Sequence, residues 1–170
     1  MAPTQVVDVL TSPDLIAQLQ QSRQSLMEAI TGLDDTALRA RAAPGEWTTA
    51  EVLAHLLSTE RIFIERAHKT VEQDHYVVTP VSDDVREEHL GMAKRMPVPQ
   101  IVHGLLAQRR DTLQFVESLT QNDLARTLSH PVRGAQTALW QIEHVIEHEQ
   151  EHAREIHERR AAATPPEAKP

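Results

Sequence analysis

Ten histidines stand in a chain of 170 residues. Three of them, His144, His148 and His152, recur at intervals of four. Residues four apart on an α-helix lie one above another on one face. Two such imidazoles can therefore hold one divalent cation when a facing element supplies a third ligand. The string His148-Glu149-Gln150-Glu151-His152 also satisfies HExxH, the zincin protease pattern in which the glutamate activates a metal-bound water. Its surroundings argue against a protease. A zincin takes its third ligand from downstream, where this chain offers one or two helical turns and an Ala/Pro tail, and no sheet is at hand to receive an extended peptide. The chain has no cysteine, which excludes disulfides, Cys-ligated metal and a thiol nucleophile of its own.

Advancing about 100° per residue from Ala138, Leu139, Ile142, Val145, Ile146, Ala153 and Ile156 form an apolar stripe about 120° wide. His148 and His152 fall just off one edge of it. His144 lies about 40° further out, at the rim of the same face. On an earlier helix, opened by Thr48 or Thr49, His55 takes the shoulder of a stripe made by Val52, Leu53, Leu56, Phe63 and Ala67. His55, His148 and His152 are therefore the candidate metal ligands. Glu149 projects into the apolar stripe, where it either reaches water, pairs with an arginine, or serves as the catalytic base beside a metal. His68, His75, His89, His103, His130 and His157 read as solvated or capping residues.

Four long amphipathic segments must position these groups. Ser12-Pro13 opens the first, which carries Leu15, Ile16, Leu19, Leu26, Ile30 and Leu33 and stops at Gly32. The helix bearing His55 is the second and fades near Asp74. Pro99 starts the third, with Ile101, Leu105, Leu106, Leu113, Phe115, Val116 and Leu119, and Thr137 caps the last, which runs from Ala138 to about Arg159. Between the second and third lie Tyr76 to Thr79, β-rich but too isolated to build a sheet, and a more polar helix over Ser82 to Met96. His130-Pro131 with Gly134 reads as a loop. The expected fold is all-α, a four-helix bundle with a long crossover between helices 2 and 3. It occupies residues 8–160, and 161–170 form a disordered tail.

Seventeen basic residues against twenty-five acidic give a net charge of −8. With only five aromatics (Trp47, Phe63, Tyr76, Phe115 and Trp140), the chain lacks the basic footprint and stacking platforms of a nucleic-acid binder. The first ten residues show no signal peptide, and no apolar run approaches the ~18 residues of a membrane span. A soluble cytoplasmic protein acting on a small molecule is expected.

Two stretches carry a resemblance. Glu46-Trp47-Thr48-Thr49-Ala50-Glu51-Val52-Leu53-Ala54-His55-Leu56 is similar to the tryptophan-then-histidine opening of the second helix in the DinB-like family. These are small bacterial four-helix proteins, distinct from the polymerase that shares the name. His130-Pro131 through Gly134 and Thr137 into Ile142, His144, His148, His152 and Ile156 resembles the family's closing helix. The resemblance implies a divalent metal on His55, His148 and His152, with zinc or nickel ahead of manganese or iron, and a homodimer. Relatives include bacillithiol transferases, mycothiol-dependent maleylpyruvate isomerase and the helical domain of ergothioneine-synthesising enzymes. It therefore implies a transferase that activates a low-molecular-weight thiol for attack on an electrophile. The alternatives are a hydrolase of a small ester or amide, and a non-enzymatic metal-binding stress protein.

Overall fold

Helix starts in this chain are written in reciprocal caps. Thr48 and Glu51 exchange bonds, the Thr48 N–H to the carboxylate at 2.7 Å and the Glu51 N–H to the hydroxyl at 3.2 Å. Thr11 with Asp14 and Thr120 with Asp123 do the same. In the computed structural model, which describes residues 10–163, the resulting helices are α1 (Ser12–Ile30), α2 (Asp35–Arg39), α3 (Thr49–Glu72), α4 (Asp83–Arg95), α5 (Val98–Glu117), α6 (Gln121–Ala125) and α7 (Ala138–Ala163). Gly32, at φ +80°, ends α1 in the left-handed conformation that glycine adopts without penalty. α7 extends three residues into the segment expected to be a tail; residues 164–170, like 8 and 9, lie outside the described residues.

The four long helices α1, α3, α5 and α7 form the bundle. α7 packs on α1 and α3, and α5 closes the ring against the same two. Apolar residues fill it in two halves. One holds Leu26, Leu53, Leu57, Ile101, Leu105 and Ile156, the other Leu15, Leu19, Ile64, Val116, Ile142 and Ile146. The order of these halves along each helix gives the topology. α1 and α7 run in one direction and α3 and α5 in the other. α3 and α5 are thus parallel neighbours, and the chain must return the length of the bundle between them. Residues 73–97 make that crossover, with α4 laid on the outside of α3.

Between the two apolar halves lies a charged layer to which each long helix contributes. Glu60 of α3 accepts from Arg109 Nε at 2.8 Å, Thr112 Oγ1 at 2.7 Å and Arg23 Nη2 at 2.6 Å. Glu149 of α7 accepts from Arg23 Nε at 2.7 Å, Ser22 Oγ at 2.5 Å and Arg109 Nη2 at 2.9 Å. Arg23 and Arg109 also donate to the carbonyls of Leu105 and Leu19. All four charged residues are at most 5% exposed. Two positive and two negative groups cancel, and their hydrogen-bonding capacity is largely filled. Burial pushes the Glu60 carboxyl up, but Arg109, then Arg23 and Thr112, outweigh it and hold it below its ordinary 4.5.

The expectation of a chain without strands is corrected by a small hairpin. β1 (Thr127–His130) pairs antiparallel with β2 (Gly134–Thr137), from Thr127 opposite Thr137 to His130 opposite Gly134. Gly134, at φ +76°, permits the tight three-residue connection. The β-rich segment 76–79 is stitched to it. Val78 N–H donates to the Ser129 carbonyl, and Ser129 N–H to that of Tyr76, each at 2.9 Å. No helix of the described residues is long and apolar enough to cross a membrane.

Removing one partner from a buried ion network strands the others. Glu60→Gln should cost about 3–5 kcal/mol, against under about 1 kcal/mol for Glu65→Gln in the exposed Glu65–Lys69 pair at 2.6 Å. Because the folded Glu60 pKa lies below the unfolded one, its stabilisation is complete above pH 4.5 and is lost as pH falls through the folded value. Urea unfolding at pH 7 and pH 3.5 measures both, and the variant should show the smaller acid loss.

Candidate metal centre

The buried stripe of α7 (Ile142, Val145, Ile146, Ala153 and Ile156) fixes the rotation of that helix and leaves His148 and His152 at its edge, half-buried. Across the groove, α3 buries Val52, Leu53 and Leu56 and turns His55 toward them. Among the described residues these three histidines each bring one ligand atom into a group spanning at most 4.8 Å. His55 Nε2 and His148 Nε2 are 2.8 Å apart. The ring centroids of His55 and His152 are 5.7 Å apart, those of His148 and His152 4.6 Å.

Each ring is held by what surrounds it. His152 Nδ1 donates to Glu155 at 2.8 Å, a carboxylate that fixes the tautomer and presents the Nε2 lone pair. His55 packs edge-on against Trp47, centroids 4.9 Å apart, and its Nε2 has Thr59 Oγ1 at 3.5 Å. Trp47 is tied down in turn, its carbonyl accepting from Arg159 Nη1 at 2.9 Å. Burial, then the neighbouring His148, His152, His89 and Arg86, pushes His55 down to about 3. Burial, then His152 and His144, lowers His148 to about 4 against the pull of Glu155. At neutral pH both rings are therefore uncharged, and each can offer one nitrogen lone pair to a cation. The Nδ1 atom of His55 is buried without a hydrogen-bond partner, a cost tolerated where the other nitrogen has a task. A nitrogen donor set of this kind fits a divalent transition metal.

His144 stays outside the group. It stacks between Trp140 (5.0 Å, 7°) and His148 (5.6 Å, 10°) and lies 4.3 Å from the Phe63 ring, so it braces the site from the side. Glu149 points into the charged layer, 2% exposed, with both oxygens engaged by Arg23, Arg109 and Ser22. Of the roles open to it from sequence, the arginine pairing is the one its contacts express.

His89, expected to be solvated or capping, is instead 4% exposed, 5.7 Å from the His55 ring, and neither of its nitrogens has a partner among the described residues. The signal was there: Val85, His89, Met92 and Ala93 recur at the i, i+4, i+7, i+8 spacing of a helix face packed on its neighbour. His130 caps its own turn, Nδ1 accepting from the N–H groups of Val132 and Arg133 at 3.1 and 3.2 Å.

Of the three grouped histidines, His55 lines a cleft of about 480 Å³. His55, Thr59, Ile62, Phe63 and Arg66 of α3 form its floor; Pro80 to Asp83 with Val85, Arg86 and His89 form one wall; His130, Val132 and Arg133 of the hairpin form the other. The hairpin wall was missed, because its four-residue strands carry no periodicity long enough to read.

The family model of the DinB superfamily matches residues 18–156. Among curated proteins none matches in sequence. Among the solved structures that share the fold are two with a TM-score of 0.74 each. YfiT from Bacillus subtilis, described as a probable metal-dependent hydrolase with an unusual four-helix bundle topology, is 18% identical over 95% of this chain and 94% of its own. A protein from Streptococcus pneumoniae is 13% identical over 96% of each.

Between their folded values and the ordinary 6.5, His55 and His148 bind fewer protons folded than unfolded, so stability falls as pH drops below 6.5. Chelator-treated protein should melt at a lower temperature at pH 5 than at pH 7. The decrease should be smaller in His55→Asn. Calorimetry at the two pH values measures it, and an equal decrease in both proteins would contradict the assigned burial of that ring.

Proposed function

The chain belongs to the DinB superfamily, and from that premise we propose that it is a metal-dependent enzyme which activates a low-molecular-weight thiol for attack on an electrophile. The observation that carries the reading is the convergence of His55, His148 and His152 within 4.8 Å beside an open cleft. These three residues would hold one divalent cation, with zinc or nickel ahead of manganese or iron. Bound there, the cation supplies a Lewis acid that lowers the pKa of a thiol or of water.

The rest is work for the chain itself. Glu155 orients His152, Trp47 shields one edge of His55, and Ile62 with Phe63 gives the cleft an apolar floor that excludes water from part of it. Thiol transfer is favoured over hydrolysis because of Glu149. Both its oxygens are occupied in the charged layer, so the glutamate best placed by sequence to activate water is committed elsewhere. A thiol needs no such base once its pKa is lowered. The absence of cysteine is consistent with a nucleophile delivered by a co-substrate. The description of YfiT as a probable metal-dependent hydrolase supports ester or amide hydrolysis as the second reading.

Elemental mass spectrometry on untagged protein should find near-stoichiometric divalent metal in the wild type, and little in His55→Ala, His148→Ala or His152→Ala. Loaded protein given bacillithiol, mycothiol or glutathione with a chromogenic electrophile should then show a rate abolished by chelator. Metal-dependent cleavage of nitrophenyl esters without thiol transfer would select the hydrolase. A rise in melting temperature with metal and no turnover in either assay would select a binding protein.

A further inference from the structure

Among the described residues three arginines are buried, Arg23 at 5% exposure, Arg109 at 4% and Arg66 at 7%. The first two are each paired with both Glu60 and Glu149. Arg66 is different. Among the described residues its guanidinium has no hydrogen-bond or ion-pair partner; it sits over the Phe63 ring at 5.1 Å. The adjacent Glu65 is ion-paired with Lys69 at 2.6 Å. Little of this residue reaches water, and the fold sets carboxylates against the other two buried arginines while giving this one none.

Its surroundings explain why. Arg66 lines the cleft, and so do Arg133 from the hairpin and Arg86 from α4, against the single carboxylate of Asp83. A chain of net charge −8 thus carries a cationic cleft. Arg133 lies close enough to Arg66 to disfavour its charge, against the opposing pull of Tyr76 and Glu65, and both arginines bear on His130 and His144. Like charges gathered at the wall of a cavity, outnumbering its one carboxylate and with none of the described carboxylates paired to Arg66, suit an anion from outside.

We propose that Arg66, backed by Arg133, is an oxyanion-binding subsite, so that the cleft takes an elongated small molecule with a carboxylate or phosphate at one end and its reacting group at the other. The second half of that statement rests on the reading of the histidine group as the reactive end. His55 and Arg66 stand eleven residues apart on α3, about 16 Å of helix rise, with Thr59, Ile62 and Phe63 of the floor between them. The molecule is therefore longer than a bare thiol or a two-carbon electrophile, and its middle is apolar. Arg66 offers a planar fork for two oxygens, which a lysine there would not.

The subsite can be tested apart from the metal. Isothermal titration of chelator-treated protein is run with 4-phenylbutyrate, its primary amide and phenyl phosphate. At least one of the two anions should bind about tenfold or more tightly than the amide, as a charged hydrogen-bonded contact implies. The carboxylate-to-phosphate ratio identifies which group the site prefers. Arg66→Gln should abolish the preference for an anion, Arg66→Lys should recover part of it, and Arg133→Gln should weaken it with a shallower salt dependence. His148→Ala should retain it in full, so that a failed metal site and a failed anion site give different results. Equal binding of anion and amide by the wild type, or an undiminished preference in folded Arg66→Gln, would overturn the proposal. Should Arg66→Gln not fold, an unchanged preference in Arg133→Gln would overturn it instead.

Discussion

Two guanidinium groups and two carboxylates closed off from water at mid-height of the bundle constrain everything around them. An apolar stripe alone tolerates some rotation or sliding of a helix, since one hydrocarbon contact replaces another at little cost. Arg23, Glu60, Arg109 and Glu149 do not permit it, because moving any of the four helices leaves a charge buried without its partner. For α7 the effect is direct. Glu149 follows His148 in the chain, about 100° further round the helix, so locking the glutamate into the core directs the histidine before it to the groove shared with α3. Glu60 indexes α3 in the same way, one turn and a residue beyond His55.

The site is consequently divided between rigid and peripheral parts. His55, His148 and His152 stand on helices whose rotation is set by the charged layer and by both halves of the core. The cleft walls are built on the crossover and the hairpin, which hold each other through the backbone bonds of Val78 and Ser129. α3 alone belongs to both. Along one helix it carries the cap that ties Thr48 to Glu51, the ring of His55, the buried Glu60 and the unpaired Arg66.

Much of this was legible in the sequence, and the unequal legibility has physical causes. Helical periodicity over four long segments defines the bundle, since burying one face of a helix imposes a 3.6-residue rhythm on its apolar residues. The same projection selects His55, His148 and His152, because a ligand at a groove must stand at the edge of a stripe. The charged layer was nearly silent. Arg23, Glu60 and Arg109 look like surface residues one at a time, and their partners are 37 to 126 residues distant in the chain. Only Glu149 gave a sign, as a carboxylate where an apolar residue belonged. His89 was misread because α4 is polar on most of its circumference and its buried face is a single narrow row. The hairpin escaped notice for want of length.

The backbone bonds joining segment 76–79 to Ser129 have an evolutionary consequence. They use main-chain atoms, so they survive almost any change of side chain on either segment. Val81, Arg86, Val132 and Arg133 can therefore be exchanged without touching the ionic layer or the caps. A lineage descended from such a molecule could change what it recognises through a handful of wall substitutions, each nearly neutral for folding, while the three histidines stay where they are. Diversification of chemistry would then proceed faster than divergence of architecture.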